Sequence, residues 1–272
     1  MIDPARLRQL AASLGAVARP PLPTDLVPLI IADRHVGDAQ SSVAEFIAQQ
    51  FDQFTLRNGK LVMAGVAADA IARSELMAAV ARALHGAGMV RGWRNELLSV
   101  GNLAIATVER AACRALGITT EAVHLNAYAN SSSLFVARRS PHKQIDPGLW
   151  DNLVGGMVPA GESLEQALSR EAVEEAGLRL DGAAVQTGRR FQMRRPVAEG
   201  MQSEIIHVFD TTLPTGIHLN NQDGEVDTID CRSIEEIVSA IERGEFTLEA
   251  SLVVLESLTR RTGVEMPSGL FH

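Results

Sequence analysis

The chain has 272 residues, 46% hydrophobic and 21% charged, with a formal net charge of −8. That composition excludes a disordered or fibrous chain, and the length calls for two domains or one domain with a large extension. The acid excess sits in one half. Residues 1–120 carry 12 Lys and Arg against 10 Asp and Glu, a net of +2, and residues 121–272 carry 13 against 23, a net of −10, which argues against a general nucleic-acid surface.

Residues 4–16 read as an amphipathic helix with Leu7, Leu10, Ala11 and Leu14 on one face. The N-terminus has neither the long apolar core nor the order of a signal peptide, and no run of about 20 apolar residues could span a membrane. A cytoplasmic, membrane-free protein is expected. Pro20, Pro21 and Pro23 form a stiff connector. LVPLIIAD, with a turn near Arg34 to Asp38, predicts a strand and its return. Ser42 to Gln50 reads as a helix with Val43, Phe46 and Ile47 inward. FTLR-NG-KLVMA reads as a hairpin about Asn58-Gly59. Ala67 to His85 predicts a long helix, Glu96 to Val100 a strand, and Thr107 to Leu116 a helix stopped by Gly117. Residues 1–118 therefore read as a small α+β domain with no catalytic cluster of their own.

The pattern changes at Val123. VHLNAYA and SLFVARR alternate as two strands of a hairpin with its turn near Ser131 to Ser133, and DNLVGGMV follows. AVQTGRRFQMRR and SEIIHVFDTTL read as two further strands, and Glu225 to Asp230 as another. Ser233 to Arg243 and Leu248 to Arg261 read as closing helices. Residues 119–272 form the second predicted domain. Two cysteines, Cys113 and Cys231, fit a reducing compartment with free thiols.

Between these strands lies GMVPAGESLEQALSREAVEEAGL, Gly156 to Leu178. Ser163 is a good N-cap, Gln166 three residues on completes a capping box, and Gly177 is placed as the C-terminal stop. On this helix Glu171, Glu174 and Glu175 stand at i, i+3 and i+4, so the three carboxylates can converge. Glu171 follows Leu164 by seven residues and Glu175 follows Leu168 by seven, which puts both on the inward stripe. Inward carboxylates call for a cation, and oxygen-only ligands favour Mg²⁺, with Mn²⁺ as a substitute. Arg170 can pair with its glutamate neighbours and hold them. Gly155 and Gly156 let the backbone approach the ion closely, with the Gly155 carbonyl as a further ligand.

The segment reads G-x5-E-x7-R-E-U-x-E-E-x-G-U without a gap and resembles the Nudix box, the signature of hydrolases that cleave a diphosphate joined to another group X. The resemblance implies a Nudix fold, a mixed β-sheet flanked by helices in an α/β/α sandwich, behind the smaller α+β domain. It implies Mg²⁺-dependent hydrolysis of a small-molecule diphosphate. Glu171 would orient or deprotonate the water, with Arg170 and Glu175 in the catalytic set and Glu225 as a reserve acid. Homodimers are common among such enzymes, so a homodimer is an admissible assembly. ARRSPHKQIDPGLWDNLVGG, GWRNELLSV, ERAACRALGI and DGEV further resemble the branch in which a Nudix domain follows an uncharacterised α+β domain, including the Nudix half of fungal thiamine pyrophosphokinase-fused proteins. That branch implies damaged thiamine diphosphates, the oxo and oxy forms, as substrates, and so metabolite repair. Isopentenyl diphosphate isomerases share a similar K-x-x-x-P-G-x-W lead-in but need a cysteine just after it, and DNLVGGMV has none.

Other basic residues are candidate substrate contacts. Arg138, Arg139 and Lys143 precede the glycine loop, and Arg190 lies in GRRFQMRR, where a bidentate phosphate clamp competes with an ordinary solvated face. Trp93, Trp150, His124 and His207 read as packing residues. A proline at 196, 18 residues past the box, keeps ADP-ribose or another nucleoside diphosphate derivative open as substrate. A Nudix-fold binding protein with little turnover is the alternative of another class.

Overall fold

The computed structural model describes residues 2–64, 69–101, 104–214, 216–265 and 271. Helix α1 (Pro4–Ala18) is N-capped by Asp3 and buries Leu7, Leu10 and Ala11. Strands β1 (Leu26–Ile31) and β2 (Arg34–Gln40) form a hairpin. Its turn is Ala32-Asp33, at φ 50° and 59°, so the expected turn at Arg34 to Asp38 is instead a strand. Left-handed backbone at both central residues matches the twist of a two-residue hairpin, and alanine gives no sign of it. Helix α2 (Ser41–Gln50) and the hairpin β3 (Phe54–Arg57) to β4 (Lys60–Met63) follow, the latter turning on Asn58 and Gly59 at φ 51° and 69°. Helix α3 (Ala70–Gly86) is capped by the Asp69 carboxylate; the expected start at Ala67 lies outside the described residues. These strands make a sheet of order β2-β1-β4-β3.

Strand β5 (Leu97–Val100) pairs with β6 (Ala106–Glu109). The helix expected over Thr107 to Leu116 is thus a strand, then a 3₁₀ turn at Arg110–Ala112, then α4 (Cys113–Leu116). Thr107 and Val108 are β-branched and find a strand partner, which overrides the helix-forming residues beyond them. Gly117 ends α4 at φ 60° as expected.

The second half is built on one mixed sheet. Its strands are β7 (Thr119–Asn130), β8 (Ser133–Arg139), β9 (Trp150–Asn152), β10 (Val154–Met157), β11 (Gln186–Val197), β12 (Gly200–Thr212) and β13 (Val226–Ser233). The order is β11-β12-β7-β8-β13, with β10 on β7 and β9 on β8, and only β12 and β7 run parallel. Helix α5 (Leu164–Ala176) covers one face through Ala167, Leu168, Ala172 and Ala176 against Val123, Leu125 and Val154. Helices α6 (Ile234–Glu242) and α7 (Leu248–Thr262) cover the other. Helix α1 packs in that same far-side core, and Arg6 bonds Glu242 at 2.7 Å and also Glu235. So α1, which the sequence groups with the first unit, lies on the second.

Buried polar groups on β7 are satisfied in a chain. His124 bonds Asn152 at 2.9 Å, Asn152 donates to Asn126 at 3.0 Å, and Asn126 donates to Asp210 at 3.0 Å. Asp210 also takes hydrogen bonds from Ser257 and Arg260, at 2.6 and 2.7 Å. Arg260 is shared with Glu256, which is fully buried. Removing one partner of a buried charge cluster leaves charge uncompensated. Arg260→Ala is therefore expected to cost about 3 kcal/mol in urea unfolding; a loss under about 0.5 kcal/mol would contradict this account.

Candidate active site

Helix α5 forms where the sequence places it. Ser163 and Gln166 make the reciprocal capping box, and Gly177 stops the helix at φ 61°. The helix lies over β10, whose Gly155 and Gly156 pair with His124 and Val123 of β7. Both glycines are required by close approach. A methyl group on Gly156 would overlap the Glu171 carboxyl, and one on Gly155 would come within 2.8 Å of the His124 ring.

Arg170 organises the acids. It donates to Glu162 at 3.2 Å, Glu171 at 2.8 Å, Glu174 at 3.0 Å and the Met157 carbonyl at 3.3 Å. Glu175 is buried, and its Oε2 accepts from the Gly155 N–H at 2.8 Å. Burial pushes the Glu175 carboxyl well above the ordinary range; the Gly155 N–H opposes that and Glu171 adds to it. Burial raises Glu171 as well, against the pull of Arg170.

The three glutamates share the helix face but do not close on one point. Among the described residues no three acidic, thiol or imidazole groups stand close enough together to hold an ion. Glu174, 45% exposed, turns to Arg170, and Glu175 turns to a backbone donor. Carboxylates facing inward take whatever donors are at hand. The donor set still fits a hard divalent cation. It consists of oxygens alone, and the carboxyls of buried Glu175 and half-buried Glu171 are both raised, a condition that a cation would relieve.

Lys143 meets Glu225, and both line a small crevice with Glu175, Arg139 and Asp151. Burial would raise the Glu225 carboxyl, but the Lys143 ammonium outweighs it and holds the group below its usual range. Arg139 bonds Asp151 at 2.9 Å. Two expected substrate contacts stand elsewhere. Arg138 is exposed and donates to the Gly148 carbonyl. Arg190 is exposed on β11 and lines none of these recesses. Of its neighbours, Arg189 pairs with Glu256, Arg194 with Asp38 and Arg195 with Gln202, so this basic run is largely structural. Pro196 is exposed near the end of β11.

The first half supplies residues that sequence reasoning missed. Arg110 and Arg114 line the recess that holds Gly155 and Gly156, together with Glu204 and Glu249. Arg110 also lies within the electrostatic reach of Glu171 and Glu225. The only sequence signal was Glu204, a charge inside the otherwise apolar strand SEIIHVF. Burial, with Glu249, pushes its carboxyl up to about 7, against Arg114 and Arg110. The folded value exceeds the unfolded one, so the protonated form favours the fold. That stability is complete below about pH 4 and is lost as pH rises through about 7. Glu204→Gln mimics the neutral acid. It should melt close to wild type near about pH 5 and above it near about pH 8; a calorimetric difference that shrinks over that interval would contradict the burial argument.

Residues 119–251 match the family model described as the NUDIX domain, and residues 19–120 match a domain of unknown function, DUF4743. The chain is 26% identical over 257 residues to Nudix hydrolase 24, chloroplastic, of Arabidopsis thaliana. It is 28% identical over 264 residues to Nudix hydrolase 20, chloroplastic, of the same plant. Each alignment covers 87% of this chain and 68% of the relative. An uncharacterised protein of Saccharomyces cerevisiae is 30% identical over 194 residues, 63% of this chain and 56% of its own length. No helix among the described residues is long and apolar enough to cross a membrane.

Proposed function

We propose that this chain, whose residues 119–251 match the NUDIX domain model, is a Nudix-type hydrolase that cleaves an organic diphosphate with a divalent ion held by Glu171, Glu174, Glu175 and the carbonyl of Gly155. One observation carries this reading. Glu171 and Glu175 face inward against the Gly155–Gly156 strand, and Arg170 ties Glu171 to Glu174. Mg²⁺, or Mn²⁺ in its place, supplies charge neutralisation at a diphosphate and a more acidic bound water.

The chain's own residues do the rest. Arg170 fixes Glu171 through Oε1, which leaves Oε2 to accept the proton of the attacking water. Glu225 is engaged by Lys143, which makes Glu171 the better acceptor. Lys143 and Arg139 exchange their carboxylate partners for phosphate oxygens when substrate binds. Arg138 and Arg190 have no part in this scheme.

For X we propose a thiamine diphosphate analogue, the oxo or oxy form, cleaved to its monophosphate. The support is the resemblance over Gly92–Val100, Ala137–Gly156 and Asp223–Val226 to enzymes associated with those substrates. The test is monophosphate release with Mg²⁺ across thiamine diphosphate, its oxo and oxy analogues, ADP-ribose and nucleoside triphosphates. Preference for the thiamine analogues is expected. Preference for ADP-ribose or a nucleotide would keep the chemistry and discard this X.

A further inference from the structure

The two halves of the chain enclose a cavity of about 590 Å³, within the size range of small-ligand pockets. Met89, Val90 and Leu98 wall it from the first half, and Met157 and Met201 from the second. It runs into the recess of about 110 Å³ that contains Gly155 and Gly156. Met157, Glu204, Arg110 and Arg114 line both spaces, so the larger cavity opens toward the candidate diphosphate site.

Two acids guard the junction. Glu204 is 5% exposed, and its carboxylate accepts no hydrogen bond from another described residue. Glu249 accepts from Gln202 at 2.7 Å through Oε1, while its Oε2 is buried with no partner among the described residues. Both carboxylates line the same recess. Glu249 Oε2 is a buried acceptor without a donor, which is costly, and a ligand that brings a donor into this recess relieves it. The apolar walls suit the faces of a flat ring.

We infer that this inter-domain cavity is the subsite for X, and that X is a nitrogen-bearing ring whose N–H groups or cationic nitrogen are taken by Glu204 and Glu249. The assignment rests on the hydrolase reading only for where the diphosphate lies; the ring site itself needs no turnover. It also gives the first domain a task, since that domain supplies one wall of the specificity pocket. A ring edge lacking N–H groups would leave the Glu204 carboxylate and Glu249 Oε2 without a donor, so such diphosphates bind poorly.

The test is calorimetric titration of the full chain with thiamine and with adenosine, which carry amino-bearing rings without a diphosphate, and with benzyl alcohol and inorganic pyrophosphate as controls. At least one amino-bearing ring is expected to bind and benzyl alcohol not to. The double variant Glu204→Gln, Glu249→Gln should weaken ring binding roughly 10- to 100-fold, as for lost hydrogen bonds to charged groups, and leave pyrophosphate binding unchanged. Ala111 lines the same cavity from the 3₁₀ turn and is half-buried. Ala111→Trp should block the ring by filling space, which serves if the acid-pair variant misfolds. No ring binding to wild type, equal binding of benzyl alcohol, or unchanged affinity in a folded variant of either kind would overturn the inference. Glu174→Gln separates this from the hydrolase reading, since it should abolish turnover and leave ring binding intact. Ring binding without turnover in wild type would sink only the hydrolase chemistry.

Discussion

Glu175→Gln is expected to lower diphosphate turnover by about 10²- to 10³-fold, the cost of removing one preorganised charged group from a reacting site. The same change should not destabilise the protein. Glu175 is buried and lies near the carboxylates of Glu171 and Asp151, and burial works against its ionised form. Glutamine has the same shape and can still accept the Gly155 N–H that now reaches Oε2. A residue kept at the expense of stability is a signature of a working site. Thermal unfolding and turnover measured on one preparation decide the matter. An active variant, or one that is inactive only because it unfolds, would contradict the assignment.

Gly156→Ala separates position from chemistry. The new methyl would overlap the Glu171 carboxyl, the far end of a flexible side chain. The glutamate can swing away, so the fold should survive with less than about 1 kcal/mol lost, while turnover falls about 10²-fold, as expected for a displaced reacting group. Every charged group is retained, so a net-charge explanation is excluded. Gly155→Ala would instead strike the His124 ring, which belongs to the buried polar chain reaching Asp210, and should show mainly as lost stability. Equal melting losses for the two variants would show that Gly156 serves packing rather than access for Glu171.

The candidate site was legible where its determinants are local. Ser163, Gln166 and Gly177 specify the ends of α5 within a few residues of themselves, and the spacing of Glu171, Glu174 and Glu175 follows from the helix. Their convergence did not follow. It depends on which donors lie nearby, and Arg170 claims Glu171 and Glu174 while the Gly155 N–H claims Glu175. The part played by the first half was illegible for another reason. Arg110 and Arg114 lie on a segment that reads as one plain helix, and only the packing of two domains brings them to Gly155 and Glu204. Helix α1 makes the same point, because Arg6 meets Glu242 across 236 positions of sequence. The β1–β2 turn was misplaced because Ala32 adopts a positive φ with no glycine to announce it.

The central claim is that the α5 carboxylates serve a metal-dependent hydrolysis. The most direct test is the initial rate of monophosphate release from the preferred diphosphate as Mg²⁺ is raised from a chelated zero, for the full chain and for Glu174→Gln. The account predicts no rate without the ion, a saturable rise with it, and loss of that rise in the variant. A rate indifferent to chelation, or a variant that responds to Mg²⁺ as wild type does, would contradict it.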